Sequence, residues 1–117
     1  MNLTLPYPPS INHYWRVVNG RPIKSAEGRK YTTVAALMAK SQLGPGTKPL
    51  SGNLAVSVTV YRPKRIGDLD NTLKVLLDSL KGIAFEDDSQ IVHIEAFRDD
   101  DAKNPRAIVR ITSDETP

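Results

Sequence analysis

From Leu54 to Tyr61 the chain alternates without a break, Leu54, Val56, Val58 and Val60 falling on one side and Ala55, Ser57, Thr59 and Tyr61 on the other. A period of two is that of a half-buried β-strand, so a sheet with one aliphatic face has to be built here. A cover for that face follows closely. Leu73, Leu76, Leu77 and Leu80 recur at helical spacing, which predicts a helix over residues 71–81 with its leucine stripe on the sheet and Gly82 near its C-terminal end. A second helix is predicted over residues 26–40, N-capped by Ser25, with Tyr31, Val34, Ala35 and Met38 inward and Gly28 weakening its first turn.

Around these elements, residues 2–6 read as a short edge strand ended by Pro6 and then Pro8-Pro9, and the chain from there to about Pro22 reads as loop. Residues 44–53, with two prolines and three glycines, form a connector. Strands are predicted over residues 90–98 and 106–112, joined by an acidic hairpin loop from Asp99 to Pro105, with 113–117 a flexible tail. The order implies an α+β fold: one domain over 1–117, a small mixed, largely antiparallel sheet of about four strands, two helices, at least one crossover and a closing hairpin. In 117 residues there is little interior to enclose a large substrate, so a site for one must lie on an open face or between two subunits. No cysteine is present, which removes disulfides, thiolate zinc sites and a cysteine nucleophile. No apolar run approaches a membrane span and no signal pattern opens the sequence, so a cytoplasmic protein without membrane association is expected.

Charge is unevenly spread. Residues 1–40 carry a balance of +5 and residues 41–83 of +3, while residues 84–117 carry −5. A basic portion beside an acidic one suits an enzyme that attracts phosphates and holds a cation, although ordinary solvated surface would look the same. Asp68 and Asp70 stand two apart between strand and helix, and in extended backbone such residues project together. Converging carboxylates repel unless a cation neutralises them, and a hard divalent ion such as Mg²⁺ prefers oxygen ligands. On the helix, Lys74, Asp78 and Lys81 share the flank of Asp70, so Lys74 could contact a scissile phosphate or simply form exposed ion pairs. Asp87-Asp88 follows in the next loop, where it can supply a third carboxylate or form a turn. Asn12, Trp15, Arg16 and Arg21 on the N-terminal stretch are plausible nucleic-acid contacts, as are Lys24, Lys64 and Arg65, with Tyr14 and Trp15 as core caps the alternative.

Asp68-Leu69-Asp70-Asn71, then Lys74 and Asp78, then Asp87-Asp88 after a leucine-rich helix, resemble the signature of the RusA family of Holliday junction resolvases. Leu5-Pro6-Tyr7-Pro8-Pro9-Ser10, Asn12 and Ser25-Ala26-Glu27-Gly28 are similar to that family too, and the resemblance covers about residues 3–112. It implies a homodimeric, Mg²⁺-dependent endonuclease, with one or two ions per subunit, that makes paired nicks in four-way DNA junctions during recombination and repair in a bacterial or phage setting. By motif position Asp68, Asp70 and Asp88 correspond to the acidic metal-binding and catalytic residues, Lys74 to the lysine that assists them, and Asp87 and Asn71 to supporting positions. Ile66 and Gly67 interrupt the basic run that directly precedes the aspartates in many members, a departure that bears on junction affinity more than on chemistry. From the residues alone, a non-catalytic DNA-binding module and a metal-dependent phosphoesterase for small substrates remain open.

Overall fold

A computed structural model describes residues 1–9, 15–63 and 69–114, with only the backbone of Asp70 and Asn71. Along the chain run β1 (Asn2–Pro6), β2 (Trp15–Val18), β3 (Arg21–Lys24), α1 (Ala26–Leu43), β4 (Leu54–Arg62), α2 (Leu69–Leu80), a 3₁₀ turn (Asp88–Gln90), β5 (Ile91–Asp100) and β6 (Arg106–Ser113). Four strands form one sheet in the order β1-β6-β4-β5; β4 and β5 are parallel and the other pairs antiparallel. The fold is α+β, with two helices, this mixed sheet and a separate two-stranded sheet of β2 and β3.

The alternation of β4 decides where the core lies. Leu54, Val56, Val58 and Val60 are buried beside Leu3 and Leu5 of β1 and Ala107, Val109 and Ile111 of β6. On α2, Val75, Leu76 and Leu80 are buried with them, while Leu73 and Leu77 pack at the margin. The inner face of α1 differs from the expected stripe. Gly28, Tyr31, Ala35 and Ala39 are buried, whereas Val34 and Met38 are exposed, so small residues four apart let the helix lie close. Gly28 is therefore a packing position as well as a weak helix former, and its N–H donates to the Ser25 cap at 3.0 Å. The helix runs three residues beyond the expected end and stops at Gly44, whose φ of 84° takes it out of the helical region.

Two predicted connections are corrected. Residues 15–24 are a β-hairpin instead of loop: Asn19 and Gly20 both have positive φ, the requirement of a two-residue type I′ turn. β5 and β6 do not form a closing hairpin, because β4 lies between them. The acidic link from β5 to β6 passes over the end of β4, where Asp101 N–H donates to the Arg62 carbonyl at 2.8 Å and Arg62 pairs with Asp100 at 3.0 Å. Ser113 belongs to β6 and Asp114 N–H donates to the Asn53 carbonyl at 2.8 Å, so only 115–117 of the expected tail lie beyond the described body.

The two edges of the sheet differ. At β1, the Gln42 side chain donates to the Thr4 carbonyl and accepts from its N–H, both at 2.7 Å, closing the edge with a side-chain amide. At β5, Val92, Ile94 and Phe97 are each about half exposed. Among the described residues no helix is long and apolar enough to cross a membrane.

Candidate active site

α2 sets the scale of the site. Asp70 is its second residue, and with 1.5 Å of rise per residue Lys74 lies about 6 Å and Lys81 about 16 Å further along the axis. Helical side chains lean back toward the N-terminus, so the long Lys81 side chain reaches up the flank that carries Lys74 and Asp78. Lys74, Asp78, Lys81 and Asp88 do line one cleft, with Trp15 of the hairpin as another wall. The flank read from helical spacing is thus real for Lys74 and Asp78 of α2 and for Lys81 just past its end, and the loop after the helix brings Asp88 to it.

That loop is held by Gln90, a residue the sequence analysis did not single out. Its amide oxygen accepts from the N–H groups of Glu86 and Asp87 at 2.9 and 3.0 Å, while its amide nitrogen donates to the carbonyls of Leu50 and Gly52, each at 3.0 Å. The signal for it was present as Asp87 followed three residues later by Gln90, the spacing of a capping box. Asp87 is a framework group here: its carboxylate accepts from the Ser89 hydroxyl at 2.7 Å and meets the Lys81 ammonium at 3.3 Å. The Ser89 hydrogen bond first, and then the Lys81 one, hold its carboxyl below the ordinary aspartate value. The same pairing with Asp87, helped by the charge of Asp88, raises Lys81. Asp88 is exposed, with its carboxylate 3.7 Å from that ammonium, beyond hydrogen-bond distance.

Asp68, Asn12, Lys64 and Arg65 lie outside the described residues, as do the side chains of Asp70 and Asn71. Among the described residues no three His, Cys, Asp or Glu side chains converge on a metal-sized point. The donor chemistry at Asp87 and Asp88 fits a hard cation: both are oxygen donors, and a flexible lysine ammonium now compensates them. Arg16 and Arg21 are exposed on the hairpin. Lys24 is placed differently, its ammonium 3.0 Å from Asp78 of α2, while its carbonyl accepts from Arg29 at 2.9 Å; these bonds pin the hairpin to both helices. Trp15 is 40% exposed and is not among the buried core residues. The Asp99–Asp101 loop is spent on its own structure, with Asp101 accepting from Lys103 N–H, Asn104 N–H and Arg106.

The chain matches the RusA endodeoxyribonuclease family over residues 6–112, which is nearly its whole length, and it belongs to that family. Among curated relatives, it is 39% identical over 111 residues to the crossover junction endodeoxyribonuclease of Enterobacteria phage HK97, covering 92% of this chain and 90% of the relative. The crossover junction endodeoxyribonuclease RusA of Escherichia coli K12 is 34% identical and that of Enterobacteria phage 82 is 35% identical, each over 95% of this chain and 92% of the relative.

Proposed function

We propose that this chain is a Mg²⁺-dependent, structure-selective endonuclease that resolves four-way DNA junctions by paired nicks, acting as a homodimer in recombination and repair in the bacterial or phage-infected cytoplasm. The observation that carries the reading is the cleft on α2, which Asp88 and Lys74 line together with Trp15 of the hairpin. In this reading Asp68, Asp70 and Asp88 hold one or two Mg²⁺ ions per subunit, an oxygen ligand set that suits the ion. When bound, the metal supplies Lewis-acid polarisation of the phosphate and offsets charge on the leaving oxygen. Lys74, exposed one turn from Asp70, donates to a non-bridging phosphate oxygen as charge accumulates there. Arg16 and Arg21, with Asn12, Lys64 and Arg65, bind the sugar-phosphate backbone, which fixes register without reading sequence and makes binding steeply salt-dependent.

The homodimer is supported by β5. A ten-residue edge strand with three half-exposed apolar residues is a surface that proteins ordinarily cover. A two-fold dimer presents two sites to two symmetry-related strands of a junction.

The test is strand-resolved cleavage of an immobile four-way junction, against duplex and flap controls, with and without Mg²⁺. Paired symmetric nicks in the junction alone, dependent on Mg²⁺ and abolished by Asp70→Asn, are expected. Cutting that survives Asp70→Asn or needs no metal overturns the reading. Lys74→Ala is expected to bind junctions within a few-fold of the parent and to cut them about a hundred-fold more slowly.

A further inference from the structure

The cleft between the hairpin and α2 has a volume of about 290 Å³ and a composition that backbone phosphates alone do not explain. One wall is apolar, made by Leu77 and the buried Val75 of α2. Trp15, 40% exposed and carried on a strand outside the buried core, lines the same cleft and brings a flat indole to it. Lys74 and Lys81 bring two ammonium groups to the same space, and Asp88 lies there too. A phosphate needs cations but no indole and no leucine. A nucleotide needs all of them, because its base is an apolar plate and its phosphate an anion.

The indole is also held in position. Trp15 is the register partner of Lys24 across the hairpin, and the Lys24 ammonium is bonded to Asp78 on α2 at 3.0 Å. The pin therefore acts on the rung of the ribbon that bears the indole, and fixes its separation from the helix. The far end of the ribbon, with its Asn19-Gly20 turn, leaves Val17 strongly exposed.

We propose that this cleft receives one unstacked nucleobase from the nucleotide beside the scissile phosphate, with Trp15 as its stacking platform. The proposal rests on the endonuclease reading above and adds to it the device that selects branched DNA. In an intact duplex both faces of every base are covered by neighbours, so the indole has no face to stack on. At a branch point the continuous stack is interrupted, so a base is released at lower cost than in a duplex, and the stack on Trp15 offsets part of the unpairing. Duplex DNA can still dock on the basic hairpin through its phosphates, without a base in the cleft.

Trp15 is the only tryptophan in the chain, which makes it its own reporter. In metal-free buffer, titration with a four-way junction is expected to quench its fluorescence strongly, and an equal concentration of bound duplex to change it little. With 2-aminopurine next to the cut position, the parent and Trp15→Phe are expected to alter the probe signal, and Trp15→Ala to leave it unchanged. In single-turnover cleavage with Mg²⁺, Trp15→Ala should lose roughly ten-fold to a hundred-fold in rate with junction affinity changed only a few-fold, and Trp15→Phe should recover most of the loss. Equal quenching by junction and duplex, or a Trp15→Ala protein that is folded by circular dichroism and cuts within two-fold of the parent, overturns the proposal and leaves the endonuclease reading intact. Should the parent fail to cut junctions at all, that reading falls on its own, while the two fluorescence arms still decide whether a base enters the cleft.

Discussion

Two runs of three acids, Glu86-Asp87-Asp88 and Asp99-Asp100-Asp101, look alike in sequence and are put to opposite uses in the structure. In the second, each carboxylate is committed. Asp99 accepts from Asp100 N–H at 2.8 Å, Asp100 meets the Arg62 guanidinium at 3.0 Å, and Asp101 meets Arg106 at 3.0 Å together with two backbone N–H groups. In the first, Gln90 and Asp87 do the structural work and Asp88 is left with a lysine ammonium 3.7 Å away. The difference is the counter-cation. An arginine fork locks a carboxylate in a fixed planar geometry, whereas a lysine is a mobile point charge that another cation can replace. An acidic run is therefore structural where the fold brings arginines to it, and available for chemistry where it brings a lysine.

The sharpest way to break this contrast is a pair of isosteric substitutions. Asp88→Asn is expected to lower junction cutting in Mg²⁺ at least a hundred-fold and leave the melting temperature within about 2 °C. Asp101→Asn should do the reverse, with cutting within two-fold and a lower melting temperature. Cutting abolished by Asp101→Asn would dissolve the distinction. Next in size, Gln90→Ala removes four hydrogen bonds from the loop and should cost about 2 kcal/mol in chemical denaturation and roughly ten-fold in cutting rate. A loop that keeps full activity without Gln90 would mean that Asp88 needs no fixed position. A smaller effect is expected of Lys81→Met: with the competing ammonium gone, half-maximal cutting should need a few-fold less Mg²⁺. An unchanged or raised requirement would show that Lys81 does not compete for the site.

Acid pH gives the mildest test. Asp101 is held below the ordinary aspartate value, first by the Asn104 N–H and then by Arg106. A carboxyl with a depressed folded-state pKa contributes stability that is present above its unfolded value and is lost as pH falls through its folded value. Melts between about pH 2 and 5 should accordingly fall more steeply for the parent than for Asp101→Asn. Parallel curves would show that the loop's bonds carry no net stability.

Local pattern made much of this molecule legible. The strict alternation of β4, the leucines of α2 and the Ser25 cap each depend on neighbours within a few residues, and each is found where the pattern puts it. The errors have two kinds. The hairpin over 15–24 was missed although Asn19-Gly20 is a strong turn signal, because arginines and Pro22 made the flanking strands look too polar and too broken; a two-stranded ribbon standing off the core has no buried face to display. The place of β5 was missed for a different reason. Nothing in residues 91–113 states that another strand lies between β5 and β6, since β4 lies before α2 in the chain and is set there by the crossover. At the site, the shared flank of Lys74, Asp78 and Lys81 follows from helical spacing alone. Asp88 joins them in a loop that Gln90 anchors to Leu50 and Gly52, and those bonds are long-range facts.

The pairing of Leu3 with Val109 in the β1–β6 ladder has a bearing on how the protein is made. Along the chain β1 precedes the other strands of its sheet, and β6, its partner among the described strands, follows all of them. Until β6 is made, Leu3 and Leu5 have no ladder to join and β4 can pair only with β5, so the nascent chain carries an uncovered aliphatic strip until that strand is delivered. Sheet closure is then a late and nearly all-or-none event, and β1 stays open to chaperones and proteases while it waits.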